Sequence, residues 1–284
     1  MTLEQKHERL QTLLRDLGRV AIAFSGGVDS TFLLAVALDV LGTEHVLAVT
    51  VDAQFIPRAE LADSLEMAAR LGARQQLIDG SDLLNETFRR NDPHRCYHCK
   101  LALFSRLKAV AATAGISTLV DGSNADDPSD YRPGMAALAE LGIFSPLLEA
   151  GLTKADVRAL SRRRNLPTWD KPTLACLASR FPYGTSITVE GLARVEKCET
   201  ALHRLGFPQC RVRSHGDIAR IEVPMADMER LTTAPLRDEM VTVCKDAGFV
   251  YVALDLEGFR SGSLNEAIAP HGAGRNKPQH EENK

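Results

Sequence analysis

The chain has 284 residues, 44% of them hydrophobic and 25% charged, a balance that excludes intrinsic disorder and suggests about two globular domains. The net charge of −3 lacks the basic excess of a chain that tracks RNA or DNA, so a nucleic-acid partner is disfavoured. No apolar run reaches the ~18 residues of a membrane span, and the charged opening MTLEQKHERLQTLLRDLG does not read as a signal peptide. The expectation is a cytoplasmic protein whose six cysteines serve metals or chemistry rather than structural disulfides.

In chain order, residues 1–17 predict an amphipathic helix with Leu3, Leu10, Leu13, Leu14 and Leu17 near one face, ended by Gly18. RVAIAF (19–24) suits a strand buried on both faces. SGGVDS (25–30) follows, then an apolar helix from Thr31 to Leu41. HVLAVTV (45–51) predicts a strand, 57–72 a helix, RQQLID (74–79) a strand, 101–114 a helix and STLVDG (117–122) a strand. This alternation implies an α/β fold with a doubly wound parallel sheet over residues 1–166, binding its ligand at the carboxyl ends of the strands.

Residues 167–188 show no clear period and read as an active-site loop or linker, since long structureless loops in compact domains usually carry function. Residues 189–267 then predict a smaller C-terminal α+β domain. It has a helix at 189–205, strands at 210–215 and 218–223 joined by a tight SHGD turn, helices at 225–231 and 236–247, and a strand at 249–256. The polar tail 268–284 predicts disorder.

SGGVDS stands between a buried strand and a helix. Gly26 and Gly27 permit a tight turn and close approach to a ligand, and the amides that follow open a helix that favours an anion. Ser25 and Ser30 add hydroxyls. Asp29 would repel phosphates unless a Mg²⁺ ion sits between them. No GK[ST] follows, so the string is not the Walker motif.

The string resembles the SGGxDS motif of the PP-loop ATP pyrophosphatases, enzymes of the adenine nucleotide alpha-hydrolase-like fold that cleave ATP between its α- and β-phosphates. The resemblance implies pyrophosphate on Ser25, Gly26, Gly27, Asp29 and Ser30, and adenosine near Val51 and Asp52. Five further strings resemble one branch, the LarE family of ATP-dependent sulfur transferases. They are RCYHCK (95–100), DGSNADDPSDYRPG (121–134), CLASRFPYGTSIT (176–188), RVRSHGDIARIEV (211–223) and YVALDLEGFRSGSLN (251–265). That resemblance implies adenylation of a carboxylate of a pyridinium-3,5-dicarboxylate mononucleotide and its conversion to a thiocarboxylate, in the making of the nickel-pincer nucleotide cofactor. It also implies a homohexamer.

Cys96 and Cys99 form a CxxC that could be half a zinc site, part of an iron–sulfur cluster or a redox dithiol. No second CxxC or HxxxH exists, though His94 and His98 are near. Cys176 lies in the irregular loop beside Ser179 and Arg180, where an adjacent cation should favour thiolate. Cys198, Cys210 and Cys244 fall in predicted helices or strands and read as core. Within the resembled family, sulfur comes either from one sacrificed loop cysteine, which becomes dehydroalanine, or from a [4Fe-4S] cluster on three cysteines. Cys96, Cys99 and Cys176 fit the second source, and Cys176 is the candidate for the first.

Arg211 and Arg213 alternate on a strand and share a face, where they could clamp a phosphate. The family pattern implies Arg180 beside the activated carboxylate and Glu199 and Glu222 around the substrate; alone, both acids would pass as surface residues. Asp126, Asp127, Asp130 and Arg132 follow the 117–122 strand at its carboxyl end and could position Mg²⁺ or substrate, or form a solvated acidic loop. Other readings are a different PP-loop adenylating enzyme, such as a tRNA thiolase or amide-forming synthetase, and a non-catalytic nucleotide-binding module. The charge balance and the absence of spare length for a glutaminase domain oppose the first, and Asp29 in the loop opposes the second.

Overall fold

The computed structural model describes residues 1–127, 133–172, 175–260 and 262–264. Asp130, Arg132 and the tail 268–284 lie outside the described residues. In chain order the elements are α1 (Leu3–Leu17), β1 (Val20–Ala23), α2 (Val28–Leu41), β2 (Val46–Asp52), α3 (Arg58–Arg70), β3 (Arg74–Asp79), α4 (Glu86–Arg89), α5 (Arg95–Thr113) and β4 (Leu119–Val120). There follow α6 (Pro133–Glu140), α7 (Pro146–Glu149), α8 (Lys154–Arg163), α9 (Val189–Arg204), β5 (Arg211–His215), β6 (Ile218–Glu222), α10 (Met228–Thr232), α11 (Leu236–Asp246) and β7 (Tyr251–Leu254).

The first sheet is parallel, in the order β3-β2-β1-β4, as the strand–helix alternation predicts. Its strand order reverses at β1, so a crevice opens between the carboxyl ends of β1 and β4. The second sheet has the order β5-β6-β7. The 211–222 strands pair antiparallel as a hairpin, and β7 joins β6 in parallel.

Two apolar clusters flank the first sheet. On one face Val20 and Ile22 of β1 pack with Leu10 and Leu14 of α1, Phe32 to Ala37 of α2, and Val157 and Leu160 of α8. The capping box of Thr2 and Gln5 starts α1. On the other face Ala21, Leu47 and Val49 pack with Phe104 and Leu107 of α5. That second cluster continues through Phe55, Leu177 and Phe181 into Leu192, Val195, Phe207 and Val212, so the two sheets share one core across the 167–188 loop.

Three expectations change. The helix expected from 101 begins at Arg95, which puts the CxxC inside its first turns; Phe104 and Leu107 bury this helix, and their packing outweighs the weak helix propensity of Cys, Tyr and His. The strand expected over 117–122 is only Leu119–Val120, although Val120 also bridges Phe144 in parallel. The stretch 133–166, for which the sequence predicted no element, holds α6, α7 and α8.

Candidate active site

The phosphate loop caps β1. Gly26 has φ +70° and presses on α3, where a Cβ would stand 2.7 Å from Ser64 Cα. Only glycine meets both demands. The loop holds its own shape: Ser25 Oγ lies 3.1 Å from Ser30 Oγ, Gly27 N donates to Ser25 Oγ at 3.3 Å, and Ser25 N donates to Ser30 Oγ at 3.3 Å. With Gly27 as its N-cap and no side chain capping it, α2 directs its first free amides out of the loop. Val51, buried, and Asp52 end the neighbouring β2, and Asp52 pairs with Arg58. Gly80 lets β3 close on that point, since a Cβ there would meet Val51 Cγ1 at 2.5 Å.

Asp29, on the first turn of α2, pairs with Lys154 Nζ and accepts from Asn124 Nδ2 at 3.4 Å. Both partners come from the β4 side of the crevice. Gly122 makes that approach possible, because a Cβ there would meet Ser30 N at 3.1 Å. In the loop beyond β4, Asp126 Oδ2 accepts from Lys154 N at 2.8 Å and Asp127 Oδ2 from Asn124 N at 2.9 Å. Asp127 is buried and Asp126 exposed. Their bonds orient Asn124 and α8, which in turn hold Asp29.

Cys176 introduces a short 3-10 turn, Leu177–Arg180, tied to the sheet by Leu177 N donating to Phe55 O at 2.9 Å. Three buried arginines pin this turn. Arg95, from the start of α5, donates to Ala178 O at 3.0 Å. Arg180 donates to Ala175 O at 2.9 Å and Ser179 Oγ at 2.8 Å. Arg213 donates to Ser179 O at 2.6 Å. Two of the three are neutralised by forked ion pairs. Arg180 meets Glu199 at 2.8 and 2.9 Å, and Arg213 meets Glu222 at 2.9 and 3.1 Å. Glu199 and Glu222 are 5% and 1% exposed, so neither is a surface acid. Burial would lower the Arg180 pKa; Glu199 beside it raises the guanidinium above its ordinary value instead.

The forks alter the expected arginine clamp. Arg213 is already engaged by Glu222, and Arg180 by Glu199. Arg211 differs: it packs over the Phe259 ring at 4.8 Å. Burial and the nearby charges of Arg180 and Arg213 push it down to about 10. A crowded, half-buried guanidinium of this kind is the one that gains most from an arriving anion.

The three cysteines meet in one neighbourhood. Cys99 is raised to about 12, first by burial and then by Cys176 and Cys96. Burial likewise raises Cys176, and the opposing charges of Arg95 and Arg180 do not overturn it. Cys176 nevertheless reaches solvent, as does Cys96. Among the described residues no three His, Cys, Asp or Glu side chains converge as ligands of a single metal ion. Three cysteines brought together by α5 and the 3-10 turn are the kind of soft donor set that a thiophilic group takes. Cys198, Cys210 and Cys244 are buried in the core.

The sequence analysis missed Lys154, Asn124, Arg95, Lys171 and Glu60. The TKAD string at 153–156 carries a capping-box signal that would have started α8 at Lys154. Glu60 and Lys171 gave no local signal, because their pairing joins distant segments.

A family model described as NAD synthase matches residues 7–115. The chain is 43% identical to an uncharacterised protein of Synechocystis sp., over 94% of this chain and 99% of that one. It is 41% identical to the pyridinium-3,5-bisthiocarboxylic acid mononucleotide synthase of Lactiplantibacillus plantarum, over 94% of this chain and 96% of that one. An argininosuccinate synthase of Natronomonas pharaonis is 29% identical over 54% of this chain. With the phosphate loop at the strand-order reversal and the match running almost end to end, the chain belongs to the LarE family of PP-loop, ATP-dependent sulfur transferases.

Proposed function

We propose that this enzyme adenylates a carboxylate of a pyridinium-3,5-dicarboxylate mononucleotide and converts it to a thiocarboxylate. The observation that carries the reading is the joining of two sites in one core: a phosphate loop at the end of β1, and a solvent-accessible cysteine turn that Phe55, just beyond β2, ties to the same sheet. The 41% identity to a synthase whose name specifies the bisthiocarboxylic acid mononucleotide supports the substrate class.

In this reading the loop amides, Ser25 and Ser30 cradle the phosphates, and Asp29 would hold a Mg²⁺ ion that supplies charge to the phosphates, leaving its present partner Lys154 for the phosphate oxygens. Val51 and Asp52 border the adenosine. The substrate carboxylate oxygen attacks the α-phosphorus, the bond to the bridging oxygen breaks, and pyrophosphate leaves with the electron pair. The loop amides and Lys154 stabilise the charge on the leaving group. Arg211 binds the phosphate of the substrate nucleotide. Arg180 and Arg213 position the Cys176 turn.

Cys96, Cys99 and Cys176 would hold a [4Fe-4S] cluster, which when bound supplies sulfur close to the adenylated carbon. On the alternative route, the Cys176 thiolate displaces AMP to form a thioester. Loss of its α-proton then breaks the Cβ–S bond, leaving a thiocarboxylate and dehydroalanine. The Arg95 and Arg180 charges offset part of the cost of that thiolate.

The exposed apolar side chains of Val250, Tyr251 and Leu256 at the edge of the second sheet support a homo-oligomer built through this domain.

The test is pyrophosphate release from ATP with and without the dicarboxylate substrate. Release should require substrate and should vanish in Asp29→Ala. Near wild-type release by that variant would remove Asp29 from the mechanism.

A further inference from the structure

Asn91 sits between α4 and α5, fully buried and with φ +54°. Asparagine enters this left-handed region more readily than other residues that carry a side chain. Both ends of its carboxamide are bonded. Nδ2 donates to Pro182 O at 2.8 Å and Thr185 O at 3.0 Å, with Phe181 O farther off at 3.4 Å. Oδ1 accepts from Arg95 Nη1, and the same Nη1 donates to Ala178 O at 3.0 Å. The backbone adds two bonds at 2.9 Å, from Gly184 N to Asn91 O and from Ile187 N to Arg89 O. Residues 89–95 lead directly into Cys96 and Cys99, and residues 177–187 lead directly on from Cys176. Among the described residues, every hydrogen bond between these two segments involves Arg89, Asn91 or Arg95. The other bonds on the cysteine turn lead elsewhere. Arg180 runs to Glu199 on α9, Arg213 runs to Glu222 on β6, and Leu177 N runs to Phe55 O. They set the turn against the second domain and the end of β2, and Asn91 with Arg95 sets it against the helix that carries the CxxC.

We infer that Asn91 is a positioning residue that fixes the spacing between the Cys96–Cys99 pair and Cys176. The inference rests on the reading above in which the three cysteines act together to deliver sulfur. A carboxamide is flat and rigid. Its donor end grips the carbonyls that follow the Cys176 turn while its acceptor end grips the first turn of α5, so the two segments cannot drift independently. Because every part of this network is buried, each bond acts at low dielectric and supports the next. A residue that only filled the core would need neither the left-handed backbone nor polar partners on both sides. The nearness it enforces is felt at the thiols, since the charges of Cys176 and Cys96 both act on Cys99.

The experiment treats the reduced, chelator-stripped full chain with dibromobimane, which becomes fluorescent only when its two arms have alkylated two thiols. Peptide mass mapping then separates bridges from Cys176 to the CxxC from bridges between Cys96 and Cys99. Neither ATP nor substrate is present, so a wild type that forms the Cys176 bridge but transfers no sulfur would sink the functional reading alone. The wild type should form both kinds of bridge. Asn91→Gly suits the backbone but deletes the carboxamide. The Cys176 bridge should then fall at least about fivefold relative to the Cys96–Cys99 bridge, the factor that one net hydrogen bond holds. Asn91→Asp keeps an acceptor for Arg95 and turns an oxygen toward the carbonyls of 181–185, so it should lower the same ratio. Cys198, Cys210 and Cys244, buried in the core, should stay unmodified and report that each variant is folded. A wild-type ratio in either folded variant would overturn the inference, as would a wild type that forms no bridge to Cys176. Alkylation of the buried cysteines in both variants would overturn it as well, by assigning Asn91 to folding alone.

Discussion

The buried fork of Arg180 and Glu199 gives the sharpest energetic expectation. Arg180 is 2% exposed and Glu199 5%. Arg180→Met strands a carboxylate, whose Oε1 still accepts from the amide of Val212 at 2.8 Å. Glu199→Gln strands a guanidinium. Either change leaves an uncompensated buried charge, costing about 3–5 kcal/mol, or on the order of 10 °C in Tm for a chain of this size. The double variant Arg180→Met/Glu199→Gln removes both charges while the glutamine still accepts from Val212. Its loss should fall well short of the sum, with a coupling of roughly 2 kcal/mol or more. Urea unfolding of the four proteins measures this. Sulfur transfer should stay lost in the double variant, because the bonds from Arg180 to Ala175 O and Ser179 Oγ are gone and the Cys176 turn is loosened. Single losses below ~1 kcal/mol that simply add, or a double variant that transfers sulfur at the wild-type rate, would refute the reasoning.

Arg211→Ala should raise the KM for the nucleotide substrate with little loss of stability, as a charge-assisted phosphate contact is worth roughly 1.5–3 kcal/mol. Arg213→Ala should instead lower Tm, because buried Glu222 loses its forked partner and keeps the 3.1 Å bond from Arg220; the reverse pattern would exchange the two roles. Cys99 sets a pH dependence in the metal-free protein. Its folded thiol ionises near 12, whereas the unfolded thiol ionises in the ordinary range, so its contribution is fully present below about 9. That contribution is lost as pH rises from there toward 12. Cys99→Ser should flatten the alkaline limb of a stability–pH curve, and an unchanged limb would show that Cys99 does not titrate in this way.

The parallel sheet was legible because VAIA and VLAVTVD are buried on both faces and read as continuous apolar runs. SGGVDS was legible because its glycines meet local demands that the string itself announces. The arginine forks were not. Arg211 and Arg213 look alike on a strand, and what separates them is Glu222, which pairs with Arg213 across the hairpin. Arg180 was singled out by its place in a matched string, while the partner that neutralises it lies on α9. Lys154 and Lys171 reach the phosphate loop from far along the chain, and composition or periodicity carries no trace of such contacts. The CxxC helix was misplaced because local propensity was weighed without the core that Phe104 and Leu107 build beneath it.

The central claim is that adenylation by ATP at the loop and sulfur transfer at the cysteine turn belong to one reaction. Mass spectrometry of anaerobic protein incubated with ATP, Mg²⁺ and the pyridinium-3,5-dicarboxylate mononucleotide tests this most directly. The account expects AMP and pyrophosphate in equal amounts, together with a product in which sulfur has replaced one carboxylate oxygen. Formation of ADP and phosphate, or of AMP and pyrophosphate with no sulfur entering the nucleotide, would contradict it.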